Sequence, residues 1–265
     1  MKVKSYWYGF LLTVQFFSII PVNKEIPMDA LHLKRMLHLF PWFGLLKGTV
    51  YAGGLWLLVE HSPLSQLAIA FLIWLLPIIL TGGLHLEGWM DASDAYFSYR
   101  DRERRLEIMK DPRVGAFGVL SLFILLAARF LFIYELVGMP IYGIYLGIAA
   151  IPFFSRGLIG MLLNYTSPAR NEGLAFYFKQ GHDRRLLGLY GLYACLFLAA
   201  SFLWGEAGTI LTVMLAAVLL FGIYSHKQSI RHFGGITGDL LGASLEGVET
   251  FQWMILWLLG YIVMG

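Results

Sequence analysis

Cysteine is almost missing from this chain. One cysteine, Cys195, occurs among 265 residues. It sits in an apolar run, so neither an intramolecular disulfide nor a cysteine-based metal site is available. Charge is scarce too: 14% of residues are Asp, Glu, Lys or Arg, against about 25% in soluble domains. The net charge of +3 is mild and gives no argument for nucleic acid as a partner. No internal repeat, low-complexity stretch or separate soluble domain stands out, so residues 1–265 read as one integral unit. Lys2 and Lys4 precede an apolar stretch without a small-residue cleavage site, so the N-terminus reads as mature sequence.

What is abundant is apolar. Hydrophobic residues make up 58% and the mean hydropathy is +0.67. One soluble core could not bury that much apolar surface, so a bilayer must be the solvent for much of it. Aromatic residues at 16% suit rings at membrane interfaces. Seven candidate spans run near 38–59, 65–84, 116–137, 141–163, 186–204, 209–225 and 240–264. The expected fold is an all-α polytopic membrane protein with about seven transmembrane helices. The shorter apolar run 5–20, ahead of Pro21, is expected to be an interfacial or re-entrant helix. With that run not crossing, 1–37, 85–115, 164–185 and 226–239 share one side and hold nearly all the Lys and Arg. The loops 60–64, 138–140 and 205–208 hold none. The positive-inside rule makes the basic side cytoplasmic.

The chemistry is expected on that side. Glu87, Asp91 and Asp94 are spaced i, i+4, i+7, which puts three carboxylates on one helical face. Such carboxylates repel each other unless a cation lies between them. Oxygen-only ligands suit Mg²⁺, Mn²⁺ or Ca²⁺. The plainer alternative is a solvated helix face, but no basic residue stands at i+4 within the stretch. His85 reads as a structural residue. The run 100–105 and then Lys110, Asp111 and Arg113 combine arginine forks with a lysine point charge, as phosphate recognition needs. A solvated surface explains the run as a whole equally well.

A second constellation lies at 234–249. Asp239 and Glu246 are seven apart and share a helical face. Only residues 251–264 follow as a clean apolar stretch, roughly 21 Å of helix against a hydrocarbon core of about 30 Å. Glu246 and Glu249 therefore lie below the headgroup plane or beside a water-filled cavity. Carboxylates there are costly and tend to mark function. Arg129 and Arg156 also fall inside spans and should not face lipid. Substrate phosphate or the acidic site is the expected partner of Arg156. Lys47 reads as a snorkelling or packing residue.

These segments resemble the cobalamin (5′-phosphate) synthase family, the adenosylcobinamide-GDP ribazoletransferases. The carriers are GGLHLEGWMDASDA at 82–95, RDRERRLEIMKDPRVGAFG at 100–118 and GGITGDLLGASLEGVE at 234–249, in order along the whole chain. A weaker match is SRGL at 155–158 with ARNEGL at 169–174. The resemblance implies an inner-membrane enzyme using Mg²⁺ that joins adenosylcobinamide-GDP to α-ribazole or its 5′-phosphate and releases GMP. It implies metal ligands at Glu87, Asp91, Asp94 and Asp239, and a proton acceptor at Asp111 or Glu246. Lys110, Arg113 and Arg156 would hold the pyrophosphate, with Arg104, Arg105 and Thr237 as further substrate-binding candidates. Leu86, Ala95 and Pro112 stand where the family often has an acid, a glycine and a serine. These departures bear on the ligand set and not on the reaction class. Association of the chain with itself is left open. One rival is a CDP-alcohol phosphotransferase, but the usual glycine after Asp94 and a downstream D-x-x-x-D pair are missing. The other is an ion-coupled transporter, for which no repeat is visible.

Overall fold

The computed structural model describes residues 2–139, 143–203, 205 and 207–264. The first two positions of the expected span 141–163 and parts of two short loops lie outside the described residues. Among the described residues the chain forms eleven α-helices: α1 Lys2–Phe17, α2 Ala30–His61, α3 Gln66–Thr81, α4 Leu84–Phe97, α5 Arg102–Ile108, α6 Ala116–Val137, α7 Ile144–Tyr165, α8 Leu174–Phe178, α9 Leu186–Phe202, α10 Ala207–Phe233 and α11 Gly238–Met264. Their extended pairing is limited to a single parallel bridge between Pro168 and Ile236.

Four helices, α2, α6, α7 and α10, are long and apolar enough to cross a membrane. Two bent pairs, α3 with α4 and 174–181 with α9, would raise that to six. The expected seven is not reached among the described residues. The reasons are physical. α3 and α9 have 16 and 17 residues, short of the roughly 20 a span needs. The first half of α11 carries Asp239, Glu246 and Glu249. α1, over the apolar run at 5–20, has 16 residues and packs along α2.

Local signals set the helix ends. Asp29 caps α2 by accepting the His32 N–H at 2.9 Å, and Ser65 caps α3 by accepting the Ala68 N–H at 3.3 Å. α3 stops at Gly82 and Gly83, with φ of 64° and 77°, the left-handed region that glycine enters without a Cβ penalty. The chain turns by 88° there, so α4 leaves the direction of α3 and lies across the end of the bundle.

Close backbone approach holds the centre. α7 is the most enclosed of the membrane-length helices, and α2 is its main partner. A Cβ on Gly44 would stand 2.0 Å from the Pro152 carbonyl oxygen, and one on Gly48 2.1 Å from that of Ala149. Small residues at such crossings let helices pack backbone to backbone. The α4–α11 crossing works the same way: a Cβ on Gly88 would stand 2.8 Å from the Asp239 carbonyl oxygen.

The basic loops meet at one end of the bundle. Arg102 donates to the Ile230 carbonyl at 3.3 Å, Lys110 pairs with Glu172, and Lys34 reaches Asp183 at 3.1 Å. The opposite end is tied by Gln66 donating to the Tyr134 carbonyl at 2.7 Å and by the Tyr261 hydroxyl donating to Glu135 at 2.8 Å.

Candidate active site

A small pocket of about 120 Å³ opens where α4 crosses α11. Phe16, Phe17, Ile159 and Leu245 wall it, and Glu87, Asp239 and His85 supply its polar lining. Glu87 comes from the first turn of α4 and Asp239 from the first turn of α11. Thr237 fixes the start of α11, where its hydroxyl accepts the Leu240 N–H at 3.2 Å and contacts Asp239 at 3.5 Å. Asp91 stands one turn beyond Glu87, half-buried. Burial, with the charges of Asp239, Glu87 and Asp94, pushes its carboxyl up to about 6. Three carboxylates from segments some 150 residues apart in sequence thus share one electrostatic site.

The other expected site residues have different partners. Asp94 faces α6. Its two carboxylate oxygens accept the Gly115 and Gly118 N–H groups, both at 2.8 Å. Gly115 has no side chain to cap α6, so Asp94 acts as the cap from outside. Each oxygen thus accepts one α6 N–H, and Asp94 still lies in the field of Asp91. Asp111 forms a two-pronged pair with Arg113, at 2.9 and 2.6 Å. The Arg113 guanidinium holds the Asp111 carboxyl well below the usual range, which makes it a weak base. Lys110 is paired with Glu172 and Arg104 with Glu107, all exposed. Arg105 contacts His232 Nδ1 at 2.7 Å.

Glu246, expected as a proton acceptor, lies two turns deeper along α11. It accepts Arg129 Nη2 at 2.7 Å, and the pair is closed off from solvent. Arg156 donates to Glu249 at 2.5 Å, and Ser155 donates to the same oxygen at 2.9 Å. The partner of Arg156 is therefore an acid of α11, not the pocket mouth. Lys47 neither snorkels nor faces lipid: it is 6% exposed and lies in the field of Arg156, Glu249 and Glu246. Sequence reasoning left Arg129 without a partner and passed over His85. The i, i+3 spacing of Glu246 and Glu249, set against one arginine in each of two other spans, was the signal for the paired network.

Among the described residues no group of three His, Cys, Asp or Glu side chains is placed to hold a metal ion by itself. The arrangement is an acid-mouthed pocket above a buried ionic network, at the end of a bundle where the Lys and Arg loops gather.

Such a bundle and site define a multi-pass membrane protein with an acid-lined pocket at its basic end. The family described as CobS, cobalamin-5-phosphate synthase, matches residues 9–257. The chain belongs to that family, as the motifs at 82–95, 100–118 and 234–249 led one to expect. It is similar to proteins named adenosylcobinamide-GDP ribazoletransferase. That of Geobacillus sp. (strain WCH70) is 42% identical over 267 residues, covering 99% of this chain and 100% of the relative. That of Geobacillus kaustophilus (strain HTA426) is 39% identical over 272 residues with the same coverage. That of Desulfitobacterium hafniense (strain Y51) is 35% identical over 252 residues, covering 94% of both. No solved structure matches the chain. The chain is a transferase of cobalamin synthesis, and the phospholipid and transporter readings fall away.

Proposed function

We propose that this enzyme transfers the adenosylcobinamide phosphate of adenosylcobinamide-GDP to a ribose hydroxyl of α-ribazole or α-ribazole 5′-phosphate, with GMP as the leaving group. The relatives' names supply the reaction. The observation that carries the site is the meeting of Glu87 and Asp239 in the lining of one pocket, with Asp91 one turn along α4 in their electrostatic field. The acceptor oxygen forms the new P–O bond at the cobinamide-side phosphorus, and the bond to the GMP phosphate breaks. The hydroxyl proton passes to a carboxylate at the mouth, since Asp111 is held by Arg113 and Glu246 by Arg129.

The donor set fits Mg²⁺. All three groups are hard oxygen donors; burial and then the neighbouring carboxylates raise the Asp91 carboxyl, and a divalent cation would relieve that repulsion. Mg²⁺ takes one or two carboxylates and fills the rest of its shell with water and substrate phosphate. Glu87, Asp91 and Asp239 would hold it. Bound there, it would supply charge neutralisation for a reaction that depends on positioning and electrostatics. The chain's own residues shape the rest. Gly88 and Gly242 let α4 and α11 approach closely enough for their acids to share the pocket. The gathering of Lys and Arg loops at this end supports a cytoplasmic face of the inner membrane.

The test is GMP release and cobalamin formation by purified protein given adenosylcobinamide-GDP, α-ribazole and Mg²⁺. Asp91→Asn, inserted normally, is expected to lose at least about tenfold in rate, or about 1.4 kcal/mol of barrier. A wild-type rate and Mg²⁺ dependence in that variant would refute the site.

A further inference from the structure

A larger cleft borders the same α4–α11 crossing and shares no lining residue with the acidic pocket. It measures about 790 Å³ and is bounded by α4, α6, α10 and α11. Its lining runs from Phe117 to Phe132 on α6 and from Phe221 to Phe233 on α10, roughly 20 Å along each helix. Both helices are of membrane length. Phe117, Leu120, Ile124 and Tyr224 are exposed along it, so the cleft opens toward the bilayer. α4 closes it at the basic end with Trp89, Ser93 and Tyr96. At about 100° per residue these lie on the face of α4 roughly opposite Glu87 and Asp91.

Most of the lining is apolar or aromatic, as a wall against lipid should be. Several polar groups in it are satisfied within the chain: Ser93 and Ser121 donate to carbonyls of their own helices, and Ser225 pairs with Ser244. The Trp89 indole N–H and Gln228 Oε1 are buried without a hydrogen-bond partner among the described residues. Gly247 makes room for the indole: a Cβ there would stand 3.1 Å from the Trp89 ring and 2.9 Å from that of Phe221. Unpaired polar groups at hydrocarbon depth are costly. A bare fatty chain would cover the rings and leave both groups unpaired. A molecule with an apolar body, one acceptor and one donor satisfies the whole lining. The rim adds a charge preference. Residues 100–107 hold four arginines against three acids, and Arg231 adds a fifth arginine. Arg102 donates to the Ile230 carbonyl of α10, and Arg105 lies over the Tyr96 ring, 5.7 Å from its centroid. Basic groups at this level attract anionic headgroups.

We propose that this cleft binds one anionic glycerophospholipid with a hydroxylated headgroup. A fatty chain lies between α6 and α10, where the cleft is tall enough for one leaflet's hydrocarbon, about 15 Å, and the ester region above it. An ester carbonyl accepts the Trp89 N–H, a headgroup hydroxyl donates to Gln228 Oε1, and the phosphate sits among the rim arginines. The lipid thus lies directly beneath the helix that carries Glu87 and Asp91. Its binding does not depend on the transfer reaction.

The full chain in phosphatidylcholine vesicles tests this, with phosphatidylglycerol brominated on its chains as the probe and no turnover needed. Bromine quenches tryptophan emission on contact, and the difference between wild type and Trp89→Phe isolates Trp89 among the eight tryptophans. Half-quenching of that component is expected at a mole fraction at least about fivefold below that for brominated phosphatidylcholine. Gln228→Leu, which removes the acceptor and keeps the size, is expected to narrow that gap at least about twofold. Ala128→Phe, which fills the cleft from α6, is expected to abolish it; should that variant fail to fold, Gln228→Leu decides alone. No quenching of Trp89, or equal quenching by the two lipids, overturns the site. A gap that Gln228→Leu leaves unchanged assigns the preference to the general attraction of a basic surface and overturns it too. Relief of the quenching by adenosylcobinamide-GDP would give the cleft to the substrate, with the same consequence.

Discussion

Replacing Asp94 separates two roles that the spacing of the acidic face merged. In the structure each carboxylate oxygen accepts one backbone N–H of α6, from Gly115 and Gly118, both at 2.8 Å. Asp94→Ala leaves both donors without their acceptor. Loss of a cap costs about 0.5–2 kcal/mol, and hydrogen bonds to a charged group contribute about 1.5–3 kcal/mol each when buried. These bonds are partly buried, so a total of about 2–3 kcal/mol is expected. Asp94→Asn keeps one acceptor oxygen and turns an amide NH₂ toward the other N–H. It should cost about 1–2 kcal/mol. The assay has two parts: thermal unfolding of the detergent-solubilised chain, and a Mg²⁺ titration of GMP release. Asp94→Asn should unfold at lower temperature while its Mg²⁺ half-saturation stays near wild type. Asp91→Asn should do the reverse. An Asp94→Asn protein with wild-type stability and a greatly raised Mg²⁺ requirement would refute the capping role.

Two further expectations concern the scaffold. Gly44→Ala places a methyl 2.0 Å from the Pro152 carbonyl oxygen, with backbone on the other side, so α2 and α7 must move apart. Overpacking of that kind costs about 1–3 kcal/mol and should read as a lower unfolding midpoint, with Gly53→Ala, which meets nothing within 4 Å, as the silent control. Asp183 ties the loop before α9 to α2. Burial opposes its ionisation, but the Arg185 N–H, His38 and Lys34 hold its carboxyl down to about 2 from 3.8. A depressed carboxyl contributes stability above its unfolded value. That contribution should fade as pH falls from about 4 to about 2, by about 1–2 kcal/mol after allowance for solvent screening. Unfolding midpoints from pH 5 to 2 should fall more steeply in wild type than in Asp183→Asn, and parallel curves would refute the assignment.

The parts of this molecule that were legible in the sequence are those set by local composition. The span at 116–137 coincides with α6, and that at 186–204 is matched within two residues by α9. Hydropathy and a flanking polar loop decide those ends without help from the rest of the chain. The count of crossings was less legible, because it depends on a bend. Gly82 and Gly83 announce a break, but not that α4 turns 88° away. Spacing placed Glu87, Asp91 and Asp94 on one face, and α4 keeps them there. It could not say that α6 would arrive against the far end of that face and take Asp94. Likewise Arg129 and Arg156 were legible as buried charges needing partners. Which acid each would meet depends on how α6 and α7 cross α11, and that is set by packing.

The two buried ion pairs tie α11 to its neighbours. Glu246 and Glu249 are three residues apart on α11, so they point toward neighbouring helices. One takes an arginine from α6 and the other an arginine from α7. Breaking such a buried pair costs about 3–5 kcal/mol, so each acts as a clamp that fixes the rotation of α11 against its neighbour. Fixing that rotation fixes Asp239, two turns above Glu246 on the same helix, opposite Gly88 of α4. The geometry of the acidic mouth is therefore set from below. A guanidinium suits the clamp, because its planar fork can hold a carboxylate and a second acceptor together, as Arg129 does with Glu246 and the Thr250 hydroxyl. An ammonium is a compact point charge with three freely turning donors. It makes a poorer clamp. On that division of labour, the two arginines hold the helices, and Lys47 belongs to neither clamp.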